Sequence, residues 1–368
     1  MTLRNEIHAE SSQASLSNPL ESSRSLLDEV SDGASVSSDE IIYTPPESVC
    51  SMASSTGDNI SPPAPGVTVT ASHGTLPSSK YENVSGAASN ISKREYIYFL
   101  PYPLPAGTEI PYSIYLPEKN PLNLPSHQFE PTSTLVLTSP LRTFVDIRVY
   151  KPFDTATAAS ANSANQGSLQ RLEWAFAGSS TSVPVQSDGK EQQTDWENVT
   201  HSTWTHWLDS RFPVGDPDIP TDEGDMYPLA DDLTLEVGHA FHPALEAVKT
   251  HEEMWRDVEV VSTSESQTMV CVVMRCQDDA AGVRGVVVRV GQYVQGIVIQ
   301  GEAVTAERWE WDAERQGEQE AAKWQRTVRV GNSFLPCAVC FRPGALAVGG
   351  KVRFRALEWV VEEVWEWT

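Results

Sequence analysis

The segments LEWAFAGSS (172–180), HSTWTHWLDS (201–210) and DEGDMYPL (222–229) decide the reading of this chain, together with VRGVVVRVGQYVQGIVIQG (283–301). Leu172, Trp174 and Phe176 alternate with Arg171, Glu173 and Ala175. Period-two alternation sends successive side chains to opposite faces of an extended strand, whereas a helix needs spacings of three and four. Gly178-Ser179 and Asp188-Gly189 supply turns. In the last segment Val286, Val288 and Val290 share one face, opposite Val287 and Arg289. Gly291 then permits a bend or bulge before Val294–Ile299.

The same pattern extends outward from these segments. Leu135 and Leu137 alternate with Thr134, Val136 and Thr138, and Val145, Ile147 and Val149 with Phe144, Asp146 and Arg148. Leu233–Val237, Val270–Arg275 and Lys351–Ala356 repeat it, and a register flip to Leu357, Trp359 and Val361 suggests a bulge near Ala356. One apolar and one polar face mark antiparallel strands buried on one side. So many short strands in one open sheet would leave exposed edges, which closure into barrels removes. The expected fold is mainly β: two tandem antiparallel barrels, with a junction near His239–His251. Asp312–Gln325, rich in Glu, Gln and Ala, is the best helix candidate, with a shorter helical turn at Pro243–Val248.

Composition divides the chain further. Neither Phe nor Trp precedes Phe99, and all eleven Trp lie between Trp174 and Trp367. Residues 1–92 are therefore expected to be a disordered Ser-rich acidic tail, lacking the apolar area that offsets chain entropy. Within it, Ser25–Val30 and Asp39–Tyr43 are apolar-acidic segments, read as solvated chain or as docking segments for a partner. Residues 93–127 read as a Pro/Tyr-rich extension, in which proline density excludes helix and central strand and favours polyproline II. It is either a ligand for an aromatic groove or a segment lying over a barrel through its tyrosines. Residues 128–241 and 242–368 are assigned to the two barrels.

The net charge of −24 repels phosphate backbones and excludes nucleic acid as a partner. Five cysteines, an odd and small number for 368 residues, fit a reducing compartment. The longest apolar run, Val286–Ile299, is interrupted by Arg289, Gln292 and Gln295 and is not a membrane span. With no apolar signal segment at the start, the expectation is a soluble intracellular protein that is not membrane-embedded.

No nucleophile–base, phosphate-loop or dinucleotide pattern occurs, so no catalytic residue, cofactor or metal is assigned. Cys337-x-x-Cys340 is half a zinc pattern, but residues three apart on a strand face opposite ways unless a turn intervenes. The acidic run Asp216–Asp225 misses the EF-hand spacing. Ligand or interface candidates are Trp174, Phe176, Trp204 and Trp207, which either line a barrel cavity or fill it. Asp209 is read as bracing the acidic loop, and Tyr227 as packing on the barrel. Arg289, Gln292 and Gln295 are polar residues in an apolar strand pair, pointing either outward or into a barrel or interface where they need partners. Ser31, Ser35, Ser38, Ser51 and Ser54 are phosphorylation candidates, spaced at the three-residue interval that acidophilic kinases favour.

Trp174–Gly178, Trp204–Asp209, Asp222–Pro228 and Arg284–Gly296 together resemble the fungal Hri proteins, named for their interaction with a casein kinase I. The resemblance covers roughly residues 128–368. It implies two non-identical calycin-like barrels related to the lipocalin shape, in a non-enzymatic protein of cytoplasm and nucleus. It also implies casein kinase I as a partner, and extends to components of the endoplasmic reticulum translocation machinery. The alternative function is a carrier of a small hydrophobic ligand, a lipid or haem, in a barrel cavity.

Overall fold

A computed structural model of the chain describes residues 41–44, 88–114, 130–151, 167–185, 198–229, 232–242, 245–314 and 323–368. All lie in one compact unit. Eight strands form a closed barrel: β2 (Asn90–Pro101), β3 (Thr132–Thr138), β4 (Thr143–Tyr150), β5 (Leu172–Pro184), β6 (Thr200–Asp209), β7 (Thr221–Pro228), β8 (Leu233–His242) and β9 (Ala247–Asp257). Each pairs antiparallel with its sequence neighbour, and β9 returns to β2.

The remaining strands are β1 (Ile41–Thr44), β10 (Met269–Asp278), β11 (Val283–Val290), β12 (Tyr293–Gln300), β13 (Ala303–Trp311), β14 (Trp324–Val330), β15 (Lys351–Phe354) and β16 (Leu357–Trp367). They form a second eight-stranded sheet in the order β1-β15-β16-β10-β11-β12-β13-β14. The mainly β expectation is met. Of the two expected barrels one is closed, while among the described residues the second sheet has β1 and β14 as its ends.

The barrel is apolar on its outside. Leu135, Leu137, Val145, Ile147, Ala175, Ala177 and Leu208 form one core with Val273, Val286, Val288, Ile297 and Ile299 of the second sheet. The alternation in β4 therefore sends Val145, Ile147 and Val149 outward, and Phe144, Asp146 and Arg148 into the lumen. Two buried polar side chains cross the same seam. Gln295 Nε2 donates to the carbonyls of Leu135 (2.8 Å) and Val145 (2.7 Å). Arg308 donates to Gln295 Oε1 (3.1 Å), Ser133 Oγ (2.9 Å) and the Ile147 carbonyl (2.7 Å).

Strand boundaries differ from the sequence reading in several places. The barrel runs from Asn90 to Asp257: the tail boundary at 92 falls within β2, the expected barrel start at 128 comes after β2, and the expected end at 241 falls within β8, so that β9 closes this barrel instead of belonging to the second. Asn90–Leu100 precedes the prolines rather than being interrupted by them, which leaves its backbone free to pair on both sides. The following segment folds back over the barrel: Tyr112 N donates to Glu252 Oε2 (2.8 Å), as does Ser113 Oγ to Oε1. Tyr96 Oη donates to the same carboxylate (2.9 Å).

The Ala356 bulge is a two-residue hairpin turn at Arg355-Ala356 between β15 and β16. The turn expected near Pro243–Val248 is the β8–β9 hairpin, its strands extending to His242 and from Ala247. Of the helix expected at Asp312–Gln325, residues 315–322 lie outside the described residues, residues 312–314 form a coil and turn, and Trp324-Gln325 begin β14. Strand β1 falls in the sequence read as tail. Its backbone pairs with β15, Tyr43 opposite Val352, and Tyr43 Oη accepts from Ala347 N (3.0 Å).

Candidate functional site: the barrel lumen

The lumen is shaped by a bulge. Phe176 pairs with Asp209 and Ala177 with Leu208, but Gly178 pairs with His206, leaving Trp207 as the extra residue. A Cβ on Gly178 would lie 1.9 Å from the Thr205 carbonyl oxygen, so the bulge requires glycine. The extra residue lets His206 and Asp209, three apart, both face inward. Their side chains meet at 2.9 Å between Nδ1 and Oδ2. Asp209 also accepts from Trp174 Nε1 (2.8 Å) and from the Arg211 amide (2.8 Å). Phe176 stacks on the His206 ring with centroids 4.1 Å apart.

Arg148 stands at the centre. Its guanidinium lies 5.1 Å from the Trp174 ring and 5.3 Å from that of Phe176, and 2.8 Å from Asp146 Oδ2. Glu253 links it to a second arginine: its Oε1 is 3.8 Å from Arg148 and 3.1 Å from Arg94, which also holds Glu130 at 2.5 Å. Across the lumen Glu236 accepts from Trp255 Nε1 (2.8 Å) and lies 3.5 Å from His251 Nε2. His206 Nε2 is 3.4 Å from Asp222.

These environments pull the titrations apart. Burial pushes the Asp146 carboxyl up, with Arg148 opposing. Burial raises Glu236 too, with His251 opposing. For Glu253 burial acts in the same direction, but Arg94 and Arg148 outweigh it and hold the carboxyl low. Burial alone would lower His206, yet hydrogen bonds to Asp209 and Asp222 raise it. His251 is raised in the same way by Glu236 and Glu253.

Two cavities occupy the lumen. One of about 290 Å³ lies between Arg94, Phe99, Trp174, His251 and Glu253. The other, about 200 Å³, lies between Phe144, Asp146, Trp204, Asp222 and Trp255. Arg148, Asp222 and Glu236 border both. Asp146 (2 % exposed) and Glu253 (4 % exposed) each keep one buried oxygen, Oδ1 and Oε2, without a hydrogen-bond partner. A buried acceptor left in that state costs free energy, so these atoms mark where a donor would be favoured.

The candidates named from sequence separate into three places. Trp174, Phe176, Trp204 and Asp209 surround the lumen. Trp207 points outward, where the guanidiniums of Arg275 (4.3 Å) and Arg284 (5.1 Å) flank its ring beside a cleft of about 520 Å³. Tyr227 packs on the barrel exterior with Tyr96 and Leu235.

Gln295 lies in the seam. Gln292 ties the connector through Val261 N (2.9 Å) and the Glu259 carbonyl (2.8 Å). Arg289 reaches the Cys340 carbonyl and Thr263 Oγ1 (2.7 Å). Ser31, Ser35, Ser38, Ser51 and Ser54 lie outside the described residues.

Cys337 and Cys340 do sit on a turn, the 3-10 segment Pro336–Phe341, but are buried free thiols like Cys271 and Cys276; burial pushes Cys276 and Cys340 up to about 12. Among the described residues no group of three or more His, Cys, Asp or Glu is placed to hold a metal ion, and no helix is long and apolar enough to cross a membrane. The lumen residues that sequence reasoning passed over are Arg94, Asp146, Arg148, Glu236, His251 and Glu253. The available signal was the pairing of Asp146 with Arg148 on the polar face of β4.

Among curated proteins none matches this chain. A solved structure that this chain matches is the crystal structure of the uncharacterized protein YLR301w from Saccharomyces cerevisiae. It is 17 % identical with a TM-score of 0.47, and the match covers 75 % of this chain and 98 % of that one. The family model described as Protein HRI1 matches residues 116–363. With the matched segment spanning most of the barrel and the second sheet, the chain belongs to the Protein HRI1 family.

Proposed function

We propose that the chain is a non-enzymatic binding protein whose barrel takes a small polar molecule into its lumen. The observation that carries this is the inverted barrel: apolar side chains on the outside, charged ones around two interior cavities. An eight-stranded up-and-down barrel is wide enough to hold one small ligand, and this reading places it in the lipocalin-like class. Buried charges within the lumen disfavour an aliphatic chain there, because they would lose solvation without gaining partners. The lipid or haem alternative is therefore the weaker form of the carrier reading.

The test is native against denaturing mass spectrometry of the full chain, with a thermal-shift panel of polar metabolites. A mass released on denaturation, or a concentration-dependent rise in Tm, supports the proposal. The absence of both a copurified mass and any Tm shift overturns it.

A second reading is an interaction with casein kinase I or the translocation machinery in cytoplasm and nucleus. It is favoured by β1: anchoring Ile41–Thr44 on β15 holds a point between Ser38 and Ser51 against the folded body. Titration of the kinase catalytic domain against the full chain, with and without serine phosphorylation, tests it. No binding in either state removes it.

A further inference from the structure

Resting on the lumen reading, we infer that the ligand class is a small organic cation, an amine carried on an aromatic body. It would be seated in the cavity between Asp146, Asp222 and Glu236.

Charge balance is the first argument. Six carboxylates face the lumen or bond to a residue that does: Glu130, Asp146, Asp209, Asp222, Glu236 and Glu253. Opposite them stand Arg94, Arg148, His206 and His251. Even with both imidazoles protonated the carboxylates exceed the cations. At the rim Glu173 pairs with Arg211, and Asp257 and Arg142 add one charge of each sign, which leaves that excess in place.

The second argument is the unused acceptor. Asp146 lines the 200 Å³ cavity; its Oδ2 is taken by Arg148, and its Oδ1 is buried without a hydrogen bond. An ammonium carries donors and no acceptor, which suits it; a carboxylate or phosphate ligand would add a second acceptor beside it. The third argument is the walls. Phe144, Phe176, Trp204 and Trp255 surround the same cavity, and aromatic faces attract cations. Arg148, which also lines this cavity, is already matched by Asp146 and Glu253.

The test uses three probes of one shape and different charge: 2-phenylethylamine, 2-phenylethanol and phenylacetate, titrated calorimetrically into the full chain. The amine is expected to bind at least about tenfold more tightly than the alcohol, and more tightly again than the acid. Asp146→Asn is expected to remove that preference. Because Asp146→Asn also strips a partner from Arg148, Asp222→Asn serves as the second variant and is expected to weaken the amine at least about threefold while binding of the alcohol is unchanged.

Equal or tighter binding of the alcohol or acid in the lumen overturns the cation inference while leaving the lumen reading intact. Binding of none of the three overturns the inference, and the metabolite panel then decides the lumen reading separately.

Discussion

Replacing Gln295 by Met tests whether the barrel and the second sheet are held by their polar seam as well as by their shared core. Gln295 is fully buried, and Met matches its length while removing every polar atom. Three bonds are lost: two to the carbonyls of Leu135 and Val145, and one from the Arg308 guanidinium. Neutral bonds contribute roughly 1 kcal/mol each and a charged one about 1.5–3 kcal/mol, for a total near 4 kcal/mol. The added apolar surface of Met returns about 1 kcal/mol, leaving a loss of about 3 kcal/mol.

For a folded region of this size each kcal/mol moves Tm by roughly 2–4 °C, so a drop of about 10 °C is expected. Differential scanning calorimetry with tryptophan fluorescence measures it. Gln292→Met, which loses two neutral bonds to the connector, is the control, with about a third of the effect. A Gln295→Met protein melting within about 2 °C of the parent, or no worse than the control, would refute the seam argument.

Four further outcomes follow from the same geometry. Gly178→Ala drives a Cβ into the Thr205 carbonyl and the Trp207 amide, so it is expected to lower Tm and to alter the near-ultraviolet signal of Trp174. Tyr43→Ala removes the acceptor of Ala347 N, and hydrogen exchange of the β15 amides Lys351–Phe354 should accelerate with global Tm unchanged. His206 has a folded pKa above its unfolded one, so the stability it adds is full below about pH 6.5 and is lost as pH rises through the folded value. The Tm penalty of His206→Gln should accordingly be larger at pH 6 than at pH 9. Arg148→Met alone strands Asp146 in the lumen and is expected to cost about 3–5 kcal/mol in urea unfolding, whereas Arg148→Met with Asp146→Leu should recover most of that loss.

How much of this was legible in the sequence depends on what each residue's signal encodes. The alternation of Val145, Ile147 and Val149 with Asp146 and Arg148 is correct as a strand pattern. It carries no information on which face is the lumen, because a barrel strand covered by another sheet has two buried sides. The inward placement of both His206 and Asp209 is invisible without the bulge at Trp207, and three-residue spacing on a regular strand would separate them. Asn90–Leu100 was obscured by the prolines that follow it, although Tyr96, Tyr98 and Leu100 alternate in plain view. Ile41–Thr44 sits in a serine-rich tail too poor in apolar residues to fold alone, and its pairing is supplied by β15, three hundred residues away. Composition describes what a segment can do by itself and is silent about an edge waiting elsewhere in the chain.

The inversion of the barrel links stability to function. In a barrel that folds alone, apolar side chains must fill the interior, and a ligand site competes with the core for the same space. Here the outer faces of β3, β4, β5 and β6 find their core against β10, β11 and β12, so burial of apolar surface is completed outside the lumen. The interior is thereby released from that task and can carry Arg148, Asp146, Glu236 and Glu253. Buried ion pairs of this kind are weak contributors to stability when compared with apolar packing. A chain that can rely on its seam for stability still keeps two buried carboxylate oxygens, Asp146 Oδ1 and Glu253 Oε2, without hydrogen bonds, on residues lining cavities that aromatic side chains also border. Packing alone gives no reason for that arrangement, and a donor-bearing ligand does.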